Sequence, residues 1–239
     1  MASTVTPALS TRHVRELTHA SLQGLTSVRQ LIAQWTRSGV ALEDIYLLAI
    51  APAAADLGAQ WATDDISFAQ CALAVSHLQH VIHDQHEAFM APQAEGPEVG
   101  SVLLITEPQA QHNLGVVMLG EFFQRAGWAV TLALPADMQA LIDTIQSDWF
   151  DAVLLSVSTD RHLADLASAY GDCASDHANP DVLLFVGGPM AWIAPDELQW
   201  TGVVVLQQSA IQVVSSVTQA MQQQRRPRIG QHEMLRSFL

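Results

Sequence analysis

Beyond residue 100 the sequence alternates between short, continuously apolar runs and longer segments with the periodicity of amphipathic helices. Strands that are buried on both faces have continuous apolar sequences, and strands separated by helices pair in parallel. The alternation therefore predicts a doubly wound α/β domain with a Rossmann-like, flavodoxin-like parallel sheet. The predicted strands are 102–106, 129–134, 152–156, 182–186 and 203–206, and the predicted helices are 113–126, 138–148, 163–173 and 210–224.

The first ninety residues show helical periodicity and no convincing strand. One apolar stripe at helical spacing consists of Val28, Leu31, Ile32 and Trp35. A buried helix over 44–57 is expected to begin or bend at Pro52, because proline interrupts helical hydrogen bonding. The organisation expected along the chain is a helical bundle or cap over 1–90, a linker over 91–100, the α/β domain over 101–225 and a flexible tail over 226–239.

The charge of the chain narrows the classes of partner. The 239 residues include no lysine, ten arginines and 24 acidic residues, which gives a net charge of −14. Binding to nucleic acid depends on neutralising phosphates, so we expect no direct nucleic-acid contact through the main body. The two cysteines are far apart, and no signal peptide or membrane-spanning run of about 18–20 apolar residues is apparent. A cytoplasmic protein without a membrane partner is expected.

Ligands of doubly wound domains bind beyond the carboxyl ends of the strands. Six candidate binding residues follow predicted strand ends: His112, Gly115, Ser156, Ser158, Gly187 and Gly188. An imidazole in such a loop can reach a metal above the sheet, and a glycine lets a bulky ligand approach the backbone.

The order His-x-x-Gly, then Ser, then Gly-Gly at successive strand ends resembles cobalamin-binding domains. The resemblance implies cobalamin as cofactor, in an undetermined adenosyl, methyl or hydroxo form, with His112 replacing the dimethylbenzimidazole base as the lower cobalt ligand. It also implies that Gly115 gives the corrin room and that Ser156 hydrogen-bonds the displaced benzimidazole. Gly187 and Gly188 would line the slot for this nucleotide tail, where a Cβ would collide with it.

The helical half is similar to that of the PpaA/AerR-type antirepressors of photosynthesis genes, through the segment Trp61–Ala69 and the pair Leu78-Gln79. This resemblance implies a photoreceptor that regulates transcription by contacting a DNA-binding repressor, since visible light cleaves the cobalt–carbon bond of alkylcobalamins. Trp61 is either an aromatic lid over the upper corrin face or a tryptophan of the bundle core.

The chain departs from the cobalamin motifs at three places. Ala110 stands where an acidic residue usually orients the histidine, so water, Gln111 or Glu107 would have to take that role. Ser158 stands where a leucine usually follows the serine. Cys71-Ala72 replaces the Glu-His pair of tetrameric cobalamin photoreceptors, so their assembly mechanism does not transfer.

Two other functions fit the same motifs, namely a corrinoid methyl carrier of a methyltransferase system and a haem-binding sensor. No catalytic motif is recognisable, and a non-enzyme is expected. Four histidines at every third position predict a solvated polar stripe rather than a metal site, although His77 or His80 could reach the upper cobalt face. They are His77, His80, His83 and His86.

Overall fold

The computed structural model describes residues 9–91, 98–110, 113–175 and 177–225. These residues form two compact units. The helical unit contains the described residues of 1–98 and 110–128, and the α/β unit contains those of 99–109 and 129–239. The helix that follows the first strand thus belongs to the helical unit. Residues 92–97 of the expected linker and the whole expected tail lie outside the described residues.

Six α-helices and one π-helical turn make up the described part of the helical unit. They are α1 (Thr11–Gln23), α2 (Leu25–Arg37), α3 (Leu42–Ile45), the π-helical turn Tyr46–Ile50, α4 (Ala51–Ala62), α5 (Phe68–Met90) and α6 (Leu114–Arg125). Ser67 starts α5 because its hydroxyl accepts a hydrogen bond from the N–H of Gln70, while the Gln70 side chain returns to the Ser67 N–H.

The stretch from Leu42 to Ala62 is one continuous helix that changes type near its middle. The N–H of Ala51 donates to the carbonyl of Tyr46, which is a π-type hydrogen bond. Pro52 follows directly, and a proline inside an α-helix lacks the donor and collides with the carbonyl four residues earlier. The π-helical turn relieves this conflict, so the interruption expected at Pro52 is a local widening of the helix rather than a break.

The same stretch is long and apolar enough, by length and composition alone, to cross a membrane. This corrects the expectation that no such stretch exists. The side chains that it buries are those of a core helix: Ile45, Tyr46, Ala49, Ile50, Ala53 and Leu57. Tyr46 stacks on Phe89 of α5 with ring centroids 4.8 Å apart, and its hydroxyl donates to the carbonyl of Ile82 at 3.2 Å. Packing inside the helical unit therefore accounts for these six residues, and 33% of the 18-residue apolar window is buried.

Helix α6 is anchored to α5 by aromatic and charged side chains. Phe122 packs edge-to-face on Phe89 with centroids 5.1 Å apart, and the guanidinium of Arg125 lies 4.5 Å from the centre of the Phe89 ring. Arg125 also forms a 2.6 Å ion pair with Glu43 of α3. A desolvated cation against an aromatic face stabilises by about 1–2 kcal/mol. These contacts explain why α6 groups with the helical unit.

The α/β unit contains a five-stranded parallel sheet in the order β2-β1-β3-β4-β5. The strands are β1 (Ser101–Thr106), β2 (Ala129–Ala133), β3 (Ala152–Ser156), β4 (Leu183–Gly187) and β5 (Val203–Val205). The helices of the α/β unit are α7 (Met138–Gln146), α8 (Leu163–Ser175), α9 (Pro189–Ile193) and α10 (Ala210–Arg225), and a 3-10 helix covers Pro195–Leu198. This confirms the predicted fold class, since 2-1-3-4-5 is the flavodoxin-like order. The two short helices after β4 were not predicted.

One face of the sheet is covered by a continuous core. It includes Ile105 of β1, Leu155 of β3 and Val186 of β4, packed with residues of α7, α8 and α9. Tyr170 of α8 is completely buried there, and its hydroxyl lies within hydrogen-bonding distance of two strand carbonyls, 2.8 Å from Val153 and 2.9 Å from Phe185. Burial raises the pKa of Tyr170 far above its usual value, so the hydroxyl stays a donor. This core fixes β1, β3 and β4 relative to one another.

Candidate functional site at the strand ends

The carboxyl ends of β1, β3 and β4 meet at one edge of the sheet. The register pairs Thr106 with Ser156 and Ser156 with Gly187. The strand order reverses between β1 and β3, which is where open α/β sheets bind their ligands. The structure therefore brings Ser156 and Gly187 together, as the sequence predicts, and adds Thr106 beside them.

Glu107 joins the loops that follow β1 and β3. It is only 4% exposed, and its N–H donates to the carbonyl of Ser156 at 3.0 Å. One carboxylate oxygen accepts from the N–H of Ser158 at 3.1 Å, and the other accepts from the Thr159 hydroxyl at 3.3 Å. A buried carboxylate needs such donors to offset its desolvation. Glu107 thus holds the β3 loop against the end of β1.

The sequence suggests Glu107 as one of three possible partners of His112, which lies outside the described residues. Both carboxylate oxygens of Glu107 accept hydrogen bonds from the β3 loop, a role that the sequence did not suggest. An acidic residue directly after a buried apolar strand was the available signal, because a charged group at that position needs nearby donors.

Two buried hydroxyls at this edge have no hydrogen-bond partner among the described residues. They are Oγ1 of Thr106, in a residue that is 1% exposed, and Oγ of Ser158. Leaving a buried hydroxyl unpaired costs about 1–3 kcal/mol, so such groups call for a physical explanation. Thr106 pairs in register with Ser156, and it follows Ile105, whose side chain enters the core on the opposite face. Both hydroxyls are therefore candidates for contact with a polar ligand.

The two glycines at the end of β4 differ in what they require. Gly188 has φ of 89°, and a Cβ there would lie 2.7 Å from the Ser156 hydroxyl and 2.7 Å from the Val157 carbonyl. A Cβ on Gly187 would come no closer than 3.5 Å to any atom, which is an ordinary contact with Leu206. The close backbone of Val157, directly after β3, therefore requires a glycine at position 188. The sequence did not reveal this reason, because the resemblance assigned both glycines to a ligand slot.

His112 lies outside the described residues. Gly115 and Trp61 belong to the helical unit. A Cβ added to Gly115 would meet no atom of the described residues within 4 Å, so packing among those residues does not explain this glycine. Trp61 is 38% exposed and packs edge-to-face on Phe68, with centroids 5.6 Å apart. This exposure favours a surface aromatic over the bundle-core alternative.

Three of the four evenly spaced histidines have protein partners. The Nδ1 atom of His77 lies 2.8 Å from the carbonyl of Ser21, and that of His86 lies 2.9 Å from a carboxylate oxygen of Glu121 on α6. His80 contacts a carbonyl of its own helix. The solvated stripe is thus corrected for His77 and His86, which join helices. Within the described ranges, no cluster of three or more His, Cys, Asp or Glu could hold a metal.

A second link joins α5 to the start of α6. Nε2 of Gln79 donates to Oδ1 of Asn113 at 2.5 Å. Asn113 directly follows His112 in the chain and precedes the first residue of α6. Gln79 and His86 therefore connect α5 to α6 at two points along its length.

Comparison with known proteins identifies the family. Residues 100–215 match the B12 binding domain. A protein of Rhodobacter capsulatus, described as an uncharacterized 20.5 kDa protein in the bchF-crtJ intergenic region, is 31% identical over 132 residues, which are 55% of this chain and 69% of that protein. This chain belongs to the B12-binding domain proteins of the PpaA/AerR type. Among solved structures, the monomethylamine corrinoid protein of Methanosarcina barkeri resembles this B12-binding protein with a TM-score of 0.67 and 13% identity, over 87% of this chain and 98% of that one.

Cobalamin is accordingly the cofactor of this B12-binding protein. The strand ends offer two buried, unpartnered hydroxyls, Thr106 and Ser158, which can bond to polar atoms of a ligand. In the helical unit, Gly115 leaves open space where a side chain would stand. The residues present therefore fit a bulky cofactor that carries hydrogen-bond acceptors.

Proposed function

We propose that this B12-binding protein is a light-responsive transcriptional regulator of the cytoplasm, a binding protein rather than an enzyme, which acts as an antirepressor by contacting a DNA-binding repressor. The observation that carries the proposal is the 31% identity to the Rhodobacter protein encoded between bchF and crtJ, in a photosynthesis gene region. The net charge of −14 suits a protein that approaches a basic face of a DNA-binding partner and not DNA itself.

In this proposal His112 is the lower ligand of cobalt, Gly115 leaves room for the corrin, and Ser156 bonds the nucleotide tail. Gly188 keeps β4 close enough to β3 for the Ser156 hydroxyl to hold its position. Bound alkylcobalamin supplies a cobalt–carbon bond that visible light breaks. The chain's own residues would bind the cofactor and pass on the change that follows.

The contacts between α5 and α6 support a route for that change within the helical unit. Gln79 bonds to Asn113, the neighbour of His112, and His86 bonds to Glu121 further along α6. A shift of the loop before α6 would therefore act on α5 at two positions. Light would then change which packing of the helices is favoured, and with it the surface presented to a repressor.

Absorption spectra test cofactor binding and light response together. The protein is mixed with adenosyl-, methyl- or hydroxocobalamin, separated by gel filtration, and measured before and after illumination. Wild type should retain corrin absorption that changes on illumination, and His112→Ala should lose much of it. His19→Ala, on an exposed position of α1, is the matched control and should behave as wild type. Retention of haem in place of corrinoid, or of neither, would refute the cofactor assignment.

Binding to the repressor is measured separately, with the photosynthesis-gene repressor of the same organism immobilised in the dark and under illumination. A change of tenfold or more in Kd, about 1.4 kcal/mol, would match the range typical of allosteric coupling. Equal affinities in the two states would refute the switching part of the proposal and leave cofactor binding intact.

The fold shared with the monomethylamine corrinoid protein favours a second candidate, a corrinoid methyl carrier of a methyltransferase system. A carrier predicts that methylcobalamin bound to the protein gives up its methyl group in the dark when a methyltransferase and acceptor are added. The regulator predicts that the methyl group stays until illumination. Following the methylcobalamin spectrum in the dark with cell extract distinguishes the two.

A further inference from the structure

Three residues at the sheet edge have features that the family motifs leave unassigned. Thr106 and Ser158 bury hydroxyls that no described residue bonds, and Glu107 hydrogen-bonds the β3 loop to the end of β1, where Thr106 is the last residue. We infer that Thr106 and Ser158 recognise hydrogen-bond acceptors in the nucleotide tail of cobalamin, and that Glu107 is the positioning residue that holds them. This inference rests on the proposed cobalamin binding.

The position of Thr106 favours the tail over the corrin ring. Thr106 lies beside Ser156 in the sheet register, and Ser156 is the residue expected to bond the benzimidazole. A threonine hydroxyl can donate one hydrogen bond, and benzimidazole nitrogen, ribose and phosphate oxygens are all acceptors. An apolar valine of the same shape would fill this buried position without leaving an unpaired group, so the hydroxyl carries a cost that a ligand contact offsets.

Ser158 stands where the cobalamin motif usually has a leucine, so its hydroxyl is not part of that motif. Its backbone N–H donates a hydrogen bond to a carboxylate oxygen of Glu107 at 3.1 Å, while its Oγ has no partner among the described residues. The backbone is thus fixed and the hydroxyl is left available. A serine held in this way is pre-organised, since little loop entropy is lost when a ligand binds.

Glu107 contributes through geometry and not through contact with the ligand. Its backbone N–H bonds to Ser156, and its carboxylate bonds to Ser158 and Thr159, so one residue spans the loops after β1 and β3. Removing the carboxylate would leave the Ser158 N–H and the Thr159 hydroxyl without this acceptor. The β3 loop would then have to be ordered by the ligand itself, which weakens binding.

A comparison of two corrinoids tests the inference, because cobinamide has the corrin ring and cobalt but lacks the nucleotide tail. Spectral titrations give Kd for hydroxocobalamin and for diaquocobinamide with each variant. Thr106→Val and Ser158→Ala should each weaken cobalamin binding about 3- to 10-fold, the loss of one hydrogen bond, and change cobinamide binding less than about 2-fold. Glu107→Ala should weaken cobalamin binding by about tenfold or more, again with little effect on cobinamide.

The matched controls are Thr144→Val and Ser168→Ala, whose hydroxyls bond within or along their own helices. Both should bind cobalamin as wild type does. Equal losses for cobalamin and cobinamide in Thr106→Val and Ser158→Ala would overturn tail recognition, because general damage to the site affects both ligands. Wild-type affinity in these two variants would overturn it as well. If wild type itself binds no cobalamin, the proposed function fails first, which is a separate outcome.

Discussion

Substitution of Gly188 by alanine should destabilise the α/β unit strongly, although it adds a single methyl group. The backbone at Gly188 has φ of 89° and ψ of −172°, a region that is essentially restricted to glycine and in which holding another residue costs about 1–3 kcal/mol. The new Cβ would also lie 2.7 Å from the Val157 carbonyl and 2.8 Å from the Val157 N–H, both of them backbone atoms that cannot rotate away. Overpacking of this kind costs about 1–3 kcal/mol. The expected total is about 2–6 kcal/mol.

Gly187→Ala is the matched control, one residue earlier in the chain. Its Cβ would make only ordinary contacts, and alanine is favoured over glycine within a strand by about 0.5–1 kcal/mol. This variant should be as stable as wild type or slightly more stable. The two substitutions therefore differ by at least about 2 kcal/mol, although both exchange a glycine at the same strand end for alanine.

Urea unfolding without cofactor measures the difference, with circular dichroism and tryptophan fluorescence recorded together to check that they report one transition. With a slope of about 2 kcal/mol per M, the midpoint of Gly188→Ala should fall by about 1 M or more. Midpoints for Gly188→Ala and Gly187→Ala that agree within error would refute the reasoning, because the backbone next to Gly188 would then tolerate a side chain.

Three further predictions concern single residues. Tyr170→Phe removes the hydroxyl that lies between two strand carbonyls and should lower the free energy of unfolding by about 1–2 kcal/mol in urea; no change would mean that the carbonyls are satisfied without it. Burial lowers the pKa of His177 below 6.5, so the unfolded state binds more protons and stability falls as pH drops through and below that value. The stability difference between wild type and His177→Gln should therefore shrink between about pH 7.5 and 5.5, and a difference independent of pH would contradict this. Gly115→Ala should keep or raise the free energy of unfolding of the cofactor-free protein, by up to about 1 kcal/mol, and reduce retention of hydroxocobalamin on gel filtration; unchanged retention would exclude a role for Gly115 in making room for the corrin.

The fold of the α/β unit was readable from the sequence because its strands are buried on both faces. All five predicted strands exist, and no end is shifted by more than one residue, since a short continuous apolar run has sharp boundaries. Helix α9 was missed because five residues are too few to show a helical period. The sequence also could not predict that α6 groups with the helical unit, because this depends on contacts of Phe122 and Arg125 with residues far away in the sequence.

The candidate site was readable only in part. Motif spacing placed Ser156 and Gly187 at neighbouring strand ends, and the sheet register brings them together. The hydrogen bonds from the β3 loop to Glu107 could not be predicted, because they depend on which loops the strand order makes adjacent. The reason for Gly188 could not be predicted either, since its close approach to Val157 depends on how two neighbouring parallel segments pack, and neither local sequence shows this.

The π-helical turn before Pro52 has a consequence for a side chain well beyond it. A π turn accommodates one residue more than an α turn, and one residue corresponds to about 100° of rotation around a helix axis. Every side chain of α4 therefore leaves the helix in a direction set by that extra residue. Trp61 is one of these side chains, so the π-helical turn near Pro52, at the opposite end of the helix, contributes to the direction of its indole together with the local contact with Phe68.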